Sequence, residues 1–336
     1  MVTIDALLES AASLLGPVHL VDDLTFSNKA HVARLRVRGG TTVVAKRPVE
    51  PAAFARELQA LRLLPEAVRP ALEAAGDDLL VIEDLGPGPS LADLLLGDDP
   101  AAAEAALVAW AGTLGQALRP TMRHGTPEEP EGLEAGLDEV RLLASALDVP
   151  VPAGVDDDVA SIASMLARPG PWVAFCPSDT CPDNNRVLPD GSVRLFDFEG
   201  AGWRHAAVEA AYCRAPFCTC WCMARLPDGM TESMEDAFLA ALAPTDPVAF
   251  LDVVTPAAVH LTLVQFDWFR RFVLGERTAP ARAPSTGRQS VYARLLTVAG
   301  ERERLPALAE VADGLAAAIL GRWPDAAAIP LYPAFS

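Results

Sequence analysis

The chain has 336 residues, with 45 Asp+Glu against 27 Lys+Arg for a formal net charge of −18; the basic side is 25 Arg and only two Lys, Lys29 and Lys46. Such acidity argues against nucleic acid or an anionic membrane as the main partner, and a composition 51% hydrophobic and 21% charged is that of a folded chain. The best apolar stretch, 251–266, is interrupted by Asp252, Pro256 and His260 and falls short of the roughly 20 clean residues a membrane span requires.

The N-terminus MVTIDALLES has no basic region ahead of an apolar run, and six cysteines do not make a disulfide scaffold, so a reducing cytoplasm is the expected setting. In chain order, residues 3–15 predict a short amphipathic helix. Residues 18–45 predict strands: the loop LTFSNKA precedes an antiparallel pair that turns at Gly39-Gly40. Pro51 opens a helix with Phe54, Leu58, Leu61 and Leu64 on or near one face. A short strand over 78–85 runs into Gly86-Pro87-Gly88-Pro89, a sharp break. The expected organisation is therefore a small first lobe over 1–85, a hinge at 86–89 and a second lobe over 90–336. In the second lobe Ser90 and Asp93 form a near capping box. Helices are expected over 101–118, 132–147 and 156–167, and short strands over 172–175 and 192–199. From 206 onward the chain is expected to be helical, apart from a polar loop near 276–289. The fold class is α+β, an antiparallel β-rich lobe followed by a mostly helical one.

Polar residues concentrate between the two short strands of the second lobe. Asp179 and Asn184 lie five apart in one loop, and Asp197 ends the following strand, brought back by the turn Pro189-Asp190-Gly191. A carboxylate at Asp179 can orient or deprotonate a hydroxyl. Asn184 and Asp197 offer a neutral and an anionic oxygen, a donor pair that suits Mg²⁺ carrying waters and phosphate oxygens. Lys46 ends a strand ahead of a helix bearing Glu57, the arrangement by which kinases hold a phosphate-contacting lysine. His205, in the segment GAGWRH, is expected near an activation-like loop, and Asp267 on a later helix, or the acidic residues around 228–236, are candidate contacts for a cationic acceptor.

These residues carry a resemblance. FCPSDTCPDNN is similar to the His-Gly-Asp-x-x-x-x-Asn loop of the aminoglycoside phosphotransferase and choline/homoserine kinase family, the small-molecule branch of the protein-kinase-like fold. VRLFDFEGAG resembles that family's Ile-Asp-(Trp/Phe)-Glu metal strand, and VVAKR, FARELQALRLL, VIEDLG and SLADLL fit in order, over roughly 25–215. The resemblance implies a bilobal kinase-like fold that binds ATP and Mg²⁺. It implies Asp179 as catalytic base, Asn184 and Asp197 as metal ligands, and Lys46 on the α/β-phosphates with Glu57 as partner. It also implies adenine held at Glu83–Leu85, Glu199 orienting loop or substrate, and Glu209 bracing the catalytic loop. Two departures stand out. Pro177-Ser178 replaces His-Gly, and the phosphate loop lacks a glycine cluster, keeping Ser27-Asn28 and Lys29 instead.

The expected activity is transfer of the γ-phosphoryl group of ATP to a hydroxyl of a small molecule, with cationic acceptors included, such as an aminoglycoside or another amino-sugar or nucleoside antibiotic, by a monomer or homodimer. The alternatives are a catalytically inactive nucleotide-binding module and a protein-modifying enzyme on the same fold. The cysteines at 176, 181, 213, 218, 220 and 222 do not match paired zinc spacing and are expected to be small buried hydrophobes.

Overall fold

The computed structural model describes residues 4–215, 217 and 220–336; Cys218 lies outside the described residues. The chain opens with α1 (Ile4–Leu15), then β1 (His19–Asp23), β2 (Ala30–Arg36), β3 (Thr42–Pro48), α2 (Pro51–Leu63), β4 (Leu72–Ala75) and β5 (Leu80–Glu83). The five strands form one antiparallel sheet in the order β1-β2-β3-β5-β4. β4 has a sequence, LEAA, without β-branched or aromatic residues. It is a strand because the exposed edge of β5 pairs it, Leu72 with Ile82 and Ala75 with Leu80, so pairing overrides propensity.

Side chains alternate across β3. Val43 and Ala45 pack under α1 with Leu7, Ala11, Leu35 and Val81. Arg47 follows them to that side, where its guanidinium reaches Ser10 Oγ at 2.6 Å and Asp78 at 3.0 Å. Lys46 is left on the opposite face, the one that α2 crosses. The period of two is what separates the two neighbouring cations.

The second lobe contains α3 (Leu91–Leu95), α4 (Pro100–Leu118), α5 (Leu133–Ala146), α6 (Val155–Ala167), β6 (Val173–Cys176), β7 (Asn185–Val187), β8 (Val193–Leu195) and β9 (Gly202–His205). After these come α7 (Ala207–Arg214), α8 (Met230–Leu242), α9 (Pro247–Leu251), α10 (Val254–Val264), α11 (Phe266–Leu274), α12 (Gly287–Ala299) and α13 (Pro306–Arg322). α4 is apolar on most of its circumference and buries Leu107, Trp110, Ala111, Leu114 and Leu118, as a central helix must. At Gly115 a Cβ would stand 2.5 Å from Phe238 O and 2.8 Å from Leu242 N, so this glycine sets how closely α8 lies on α4.

The stretch 247–264 is long and apolar enough by composition to match a membrane span. Here it is broken at Asp252 and Val253 into α9 and α10, and it buries Phe250, Val254, Ala257, Ala258 and Leu261 within the protein.

Three strands fall where none was expected: β4, β7 and β9. The segment GAGWRH, expected near an activation-like loop, supplies the last of them. Gly202–His205 is a strand, pairing Val173 with His205 and Cys176 with Gly202. The ladder to β6 and the edge-to-face packing of Trp203 on Phe175, 5.4 Å between centroids, decide it.

Candidate functional site

The site is assembled where the sheet faces the β6–β9 and β7–β8 ribbons. Lys46 Nζ lies 2.7 Å from Glu57 Oε2 on α2 and also contacts Asp197 Oδ1 across the cleft. Lys46 and Glu57 are almost wholly buried, at 8% and 2% exposure. Burial draws the lysine pKa down, but the Glu57 and Asp197 carboxylates outweigh it and hold the ammonium above its ordinary value. A second contact runs parallel to the first: Lys29 Nζ lies 2.7 Å from Glu199 Oε1, which raises the Lys29 pKa. Both lysines of the chain thus reach from the first lobe to the segment Asp197–Glu199 of the second.

Asp197 and Asn184 are brought together by the backbone. Asn185 pairs with Leu195 in the β7–β8 ladder, and Phe196 N donates to Asn184 O at 3.1 Å. Asn184 therefore lies opposite Phe196, the chain neighbour of Asp197. Asn184 Nδ2 donates to Asp179 O at 2.8 Å, tying the loop that carries Asp179 and leaving the amide oxygen of Asn184 for another partner. Asp197 leaves β8 with φ +67°, a left-handed conformation unusual for a residue with a side chain. Among the described residues no group of three or more His, Cys, Asp or Glu forms a metal cage. The donor set Asn184 plus Asp197 instead fits an ion that brings its own waters and phosphate oxygens, as Mg²⁺ does.

Asp179 opens into the cleft. The protein walls that displace water from it, then the carboxylates of Asp197 and Asp183, push its carboxyl up to about 6, against the pull of Lys29. Behind it, Ser178 occupies φ +65° where the resembled family has glycine. Ser178 N donates to Glu209 Oε1 at 2.8 Å and Thr180 Oγ1 to Glu209 Oε2 at 3.3 Å, so Glu209 of α7 braces the loop from below. Burial pushes the Glu209 carboxyl up to about 7.

That shift has a stability consequence. A carboxyl whose folded pKa exceeds its unfolded value binds more protons in the native state, so this contribution to stability falls as pH rises from about 4.5 to about 7. Glu209→Gln keeps an acceptor for Ser178 N and cannot ionise. Its melting temperature should depend less on pH between 5 and 8 than that of the wild type. An unchanged pH slope in thermal melts would show that Glu209 is not the group responsible.

Other expected residues fall as follows. Ser27 Oγ accepts from Lys29 N at 3.2 Å, forming a tight turn, and Asn28 is exposed beside it. Glu83 ends β5, with its carboxylate accepting from Ala71 N at 3.0 Å, and Leu85 follows in the linker. His205 is not brought to the cluster: it is buried, its Nδ1 accepts from Ala207 N at 3.1 Å, and burial lowers its pKa to about 4, so it is a neutral structural imidazole. Asp267 pairs with Arg271 at 2.9 Å on α11, and no contact joins it to Asp179 or Asp197.

Of the cysteines, 176, 213 and 222 are buried and free, as expected. Cys181 and Cys220 instead form a disulfide, which ties the Asp179–Asn184 loop to the segment after α7. The pairing depends on the long-range return of the chain, which cysteine spacing does not reveal.

Three positioning residues escaped the sequence reading. Asn185 is fully buried; its Oδ1 accepts from Leu91 N at 2.9 Å and its Nδ2 donates to Pro182 O at 2.9 Å, pinning the Asp179–Asn184 loop to the start of α3. The Asn-Asn doublet was its only trace. Asp84 accepts from Arg34 Nε at 2.8 Å and from Gly86 N at 3.1 Å, joining β2 to the linker. Trp221 donates from Nε1 to Asp183 Oδ2 at 2.7 Å, one residue before Asn184.

No protein-family model matches the chain, and no curated protein matches its sequence. Solved structures match in fold. A provisionally assigned aminoglycoside phosphotransferase from Ralstonia eutropha superposes with a TM-score of 0.54 at 15% identity, over 93% of this chain and 98% of that one. An amicoumacin kinase in complex with AMP-PNP, Ca²⁺ and Ami gives 0.54 at 14% identity, over 92% and 93%. The streptomycin–ATP–APH(2'')-IIa ternary complex gives 0.51 at 13% identity, over 80% and 93%. The bilobal kinase-like α+β fold expected from the motifs is therefore the fold of this chain.

Proposed function

We propose that the protein transfers the γ-phosphoryl group of ATP to a hydroxyl of a small molecule, with Mg²⁺. The observation that carries this reading is the convergence of Lys46, Glu57 and Asp197 in one ion cluster, beside a loop in which Asn184 ties down Asp179. Structures of similar fold are solved with AMP-PNP or ATP, which supports a nucleotide in this cleft.

In this mechanism Asp179 accepts the proton of the acceptor hydroxyl as its oxygen bonds to the γ-phosphorus. The bond from that phosphorus to the β–γ bridging oxygen breaks and ADP leaves. Lys46, held by Glu57, neutralises charge on the α/β-phosphates. Glu83–Leu85 form the adenine edge at the 86–89 hinge, and Ser27, Asn28 and Lys29 cover the phosphates. Asn184 and Asp197 would hold Mg²⁺, which when bound supplies positive charge to the phosphate oxygens. Lys46 and Lys29 contact Asp197 and Glu199, the partners that nucleotide phosphates and Mg²⁺ would take over. Asp183 and Glu199 lie near enough to Asp179 to act on its carboxyl, and this acidity favours a cationic hydroxyl compound such as an amino-sugar or amino alcohol.

The test is ADP release by the full chain with MgCl₂ and ATP, across aminoglycosides, amino-sugars, amino alcohols and neutral sugars. The expected result is acceptor-dependent release that EDTA abolishes. Nucleotide binding without release on any acceptor would favour an inactive nucleotide-binding module, the reading that Ser178 and the glycine-poor phosphate loop support.

A further inference from the structure

A cavity of about 390 Å³ lies between the end of α11, the loop 275–286 and the start of α12. None of the nucleotide or catalytic residues lines it. Its walls combine apolar surface from Phe272 and Pro280 with Arg277, Arg288, Ser285 and Thr286, and include no acidic residue.

Its two guanidiniums are distinctive in a chain of net charge −18. Arg277 stacks over the Trp268 ring at 4.0 Å, and Arg288 over the Trp323 ring at 4.2 Å while donating from Nε to Val273 O. Among the described residues neither forms an ion pair. The acids nearby are committed elsewhere, Glu276 to Arg270 at 3.1 Å and Asp267 to Arg271. Stacking fixes the planes of the two guanidiniums and leaves N–H groups for an anion. Independently, the Ser285 hydroxyl is buried in this wall, at 5% exposure, with no hydrogen-bond partner. A buried hydroxyl without a partner is costly, and a ligand oxygen would relieve it. The first residues of the 13-residue helix α12 border the same space, adding its positive end.

We propose that this cavity binds the anionic group, carboxylate or phosphate, of a small molecule that also has an apolar flank. The same loop reaches the catalytic region. Arg282 lies 3.8 Å over the Trp221 ring, and Trp221 holds Asp183. The anion therefore belongs either to the acceptor itself, making it zwitterionic, or to a separate effector. The first alternative rests on the phosphotransferase reading; the binding site does not.

The experiment is calorimetric titration of the full chain with phenyl phosphate at physiological salt, using wild type, Arg277→Gln, Ser285→Ala and Lys46→Met, each checked by thermal melting. Saturable one-to-one binding is expected in the wild type and in Lys46→Met. Arg277→Gln should weaken it about tenfold, the loss of one charge-assisted hydrogen bond, and Ser285→Ala several-fold. No saturable binding, equal affinity in folded Arg277→Gln and Ser285→Ala, or loss in Lys46→Met would overturn the proposal. The source is read from the acceptor panel. A KM increase in Arg277→Gln confined to acceptors bearing a carboxylate or phosphate assigns the anion to the acceptor. Unchanged KM values with phenyl phosphate binding lost assign it to a separate effector.

Discussion

Lys46→Arg is expected to lower turnover with ATP by about 10²–10³-fold, the range seen when one preorganised electrostatic contact to the transition state is lost. The charge is conserved, so the loss must come from shape. Lys46 is a compact ammonium 2.7 Å from a buried Glu57 and in contact with Asp197. A planar guanidinium on a longer stem cannot occupy that point without displacing α2 or the Asp197 segment. Steady-state kinetics in ATP, with a melting curve to show that the variant folds, measure the effect. Turnover near the wild-type level would remove Lys46 from the proposed mechanism. In a chain with 25 Arg, arginine at this position is the substitution that composition alone favours, which makes the retained lysine informative.

Asp179→Asn should reduce acceptor-dependent kcat by about 10²–10⁴-fold, the usual contribution of a positioned base. Its pH signature is separate from the size of the loss. Asp179 works deprotonated, and its carboxyl is raised to about 6. Wild-type kcat/KM for the acceptor should therefore climb as pH rises through about 6 and level off above it. In Asp179→Asn the residual rate should lack that limb. A limb that persists in the variant belongs to another group, and Asp179 is then not the base. Glu209 titrates nearby, at about 7, so Glu209→Gln is the control that separates bracing from proton transfer.

Short-range signals were strong wherever local chemistry had one solution. Pro51 at a helix start, Gly39-Gly40 in a hairpin and the Ser90/Asp93 capping box all behave as written. Asp179, Asn184 and Asp197 were singled out by their order along the chain and by the family resemblance, and the Asn184–Asp179 and Phe196–Asn184 hydrogen bonds tie together the segments that carry them. Residues whose role lies in a distant partner were not legible. Asn185 serves α3 across 94 positions, Trp221 serves Asp183 across 38, and Cys181 meets Cys220 across 39. His205 misled for the same reason: its neighbours in sequence look like a loop, but its strand partner Val173 buries it.

The opening asymmetry of two lysines among 27 basic residues shows the division. Sequence alone determined that Lys46 lies on a strand ahead of the helix bearing Glu57, although the strand runs on to Pro48, and that Lys29 sits in the loop before the hairpin, because strand period and turn chemistry act over a few residues. Only the tertiary structure decided that both ammonium groups cross the cleft, Lys46 to Asp197 and Lys29 to Glu199. Those contacts join residues 151 and 170 positions apart. They exist because the packing of the lobes brings four charges together, and no local pattern encodes such a distance.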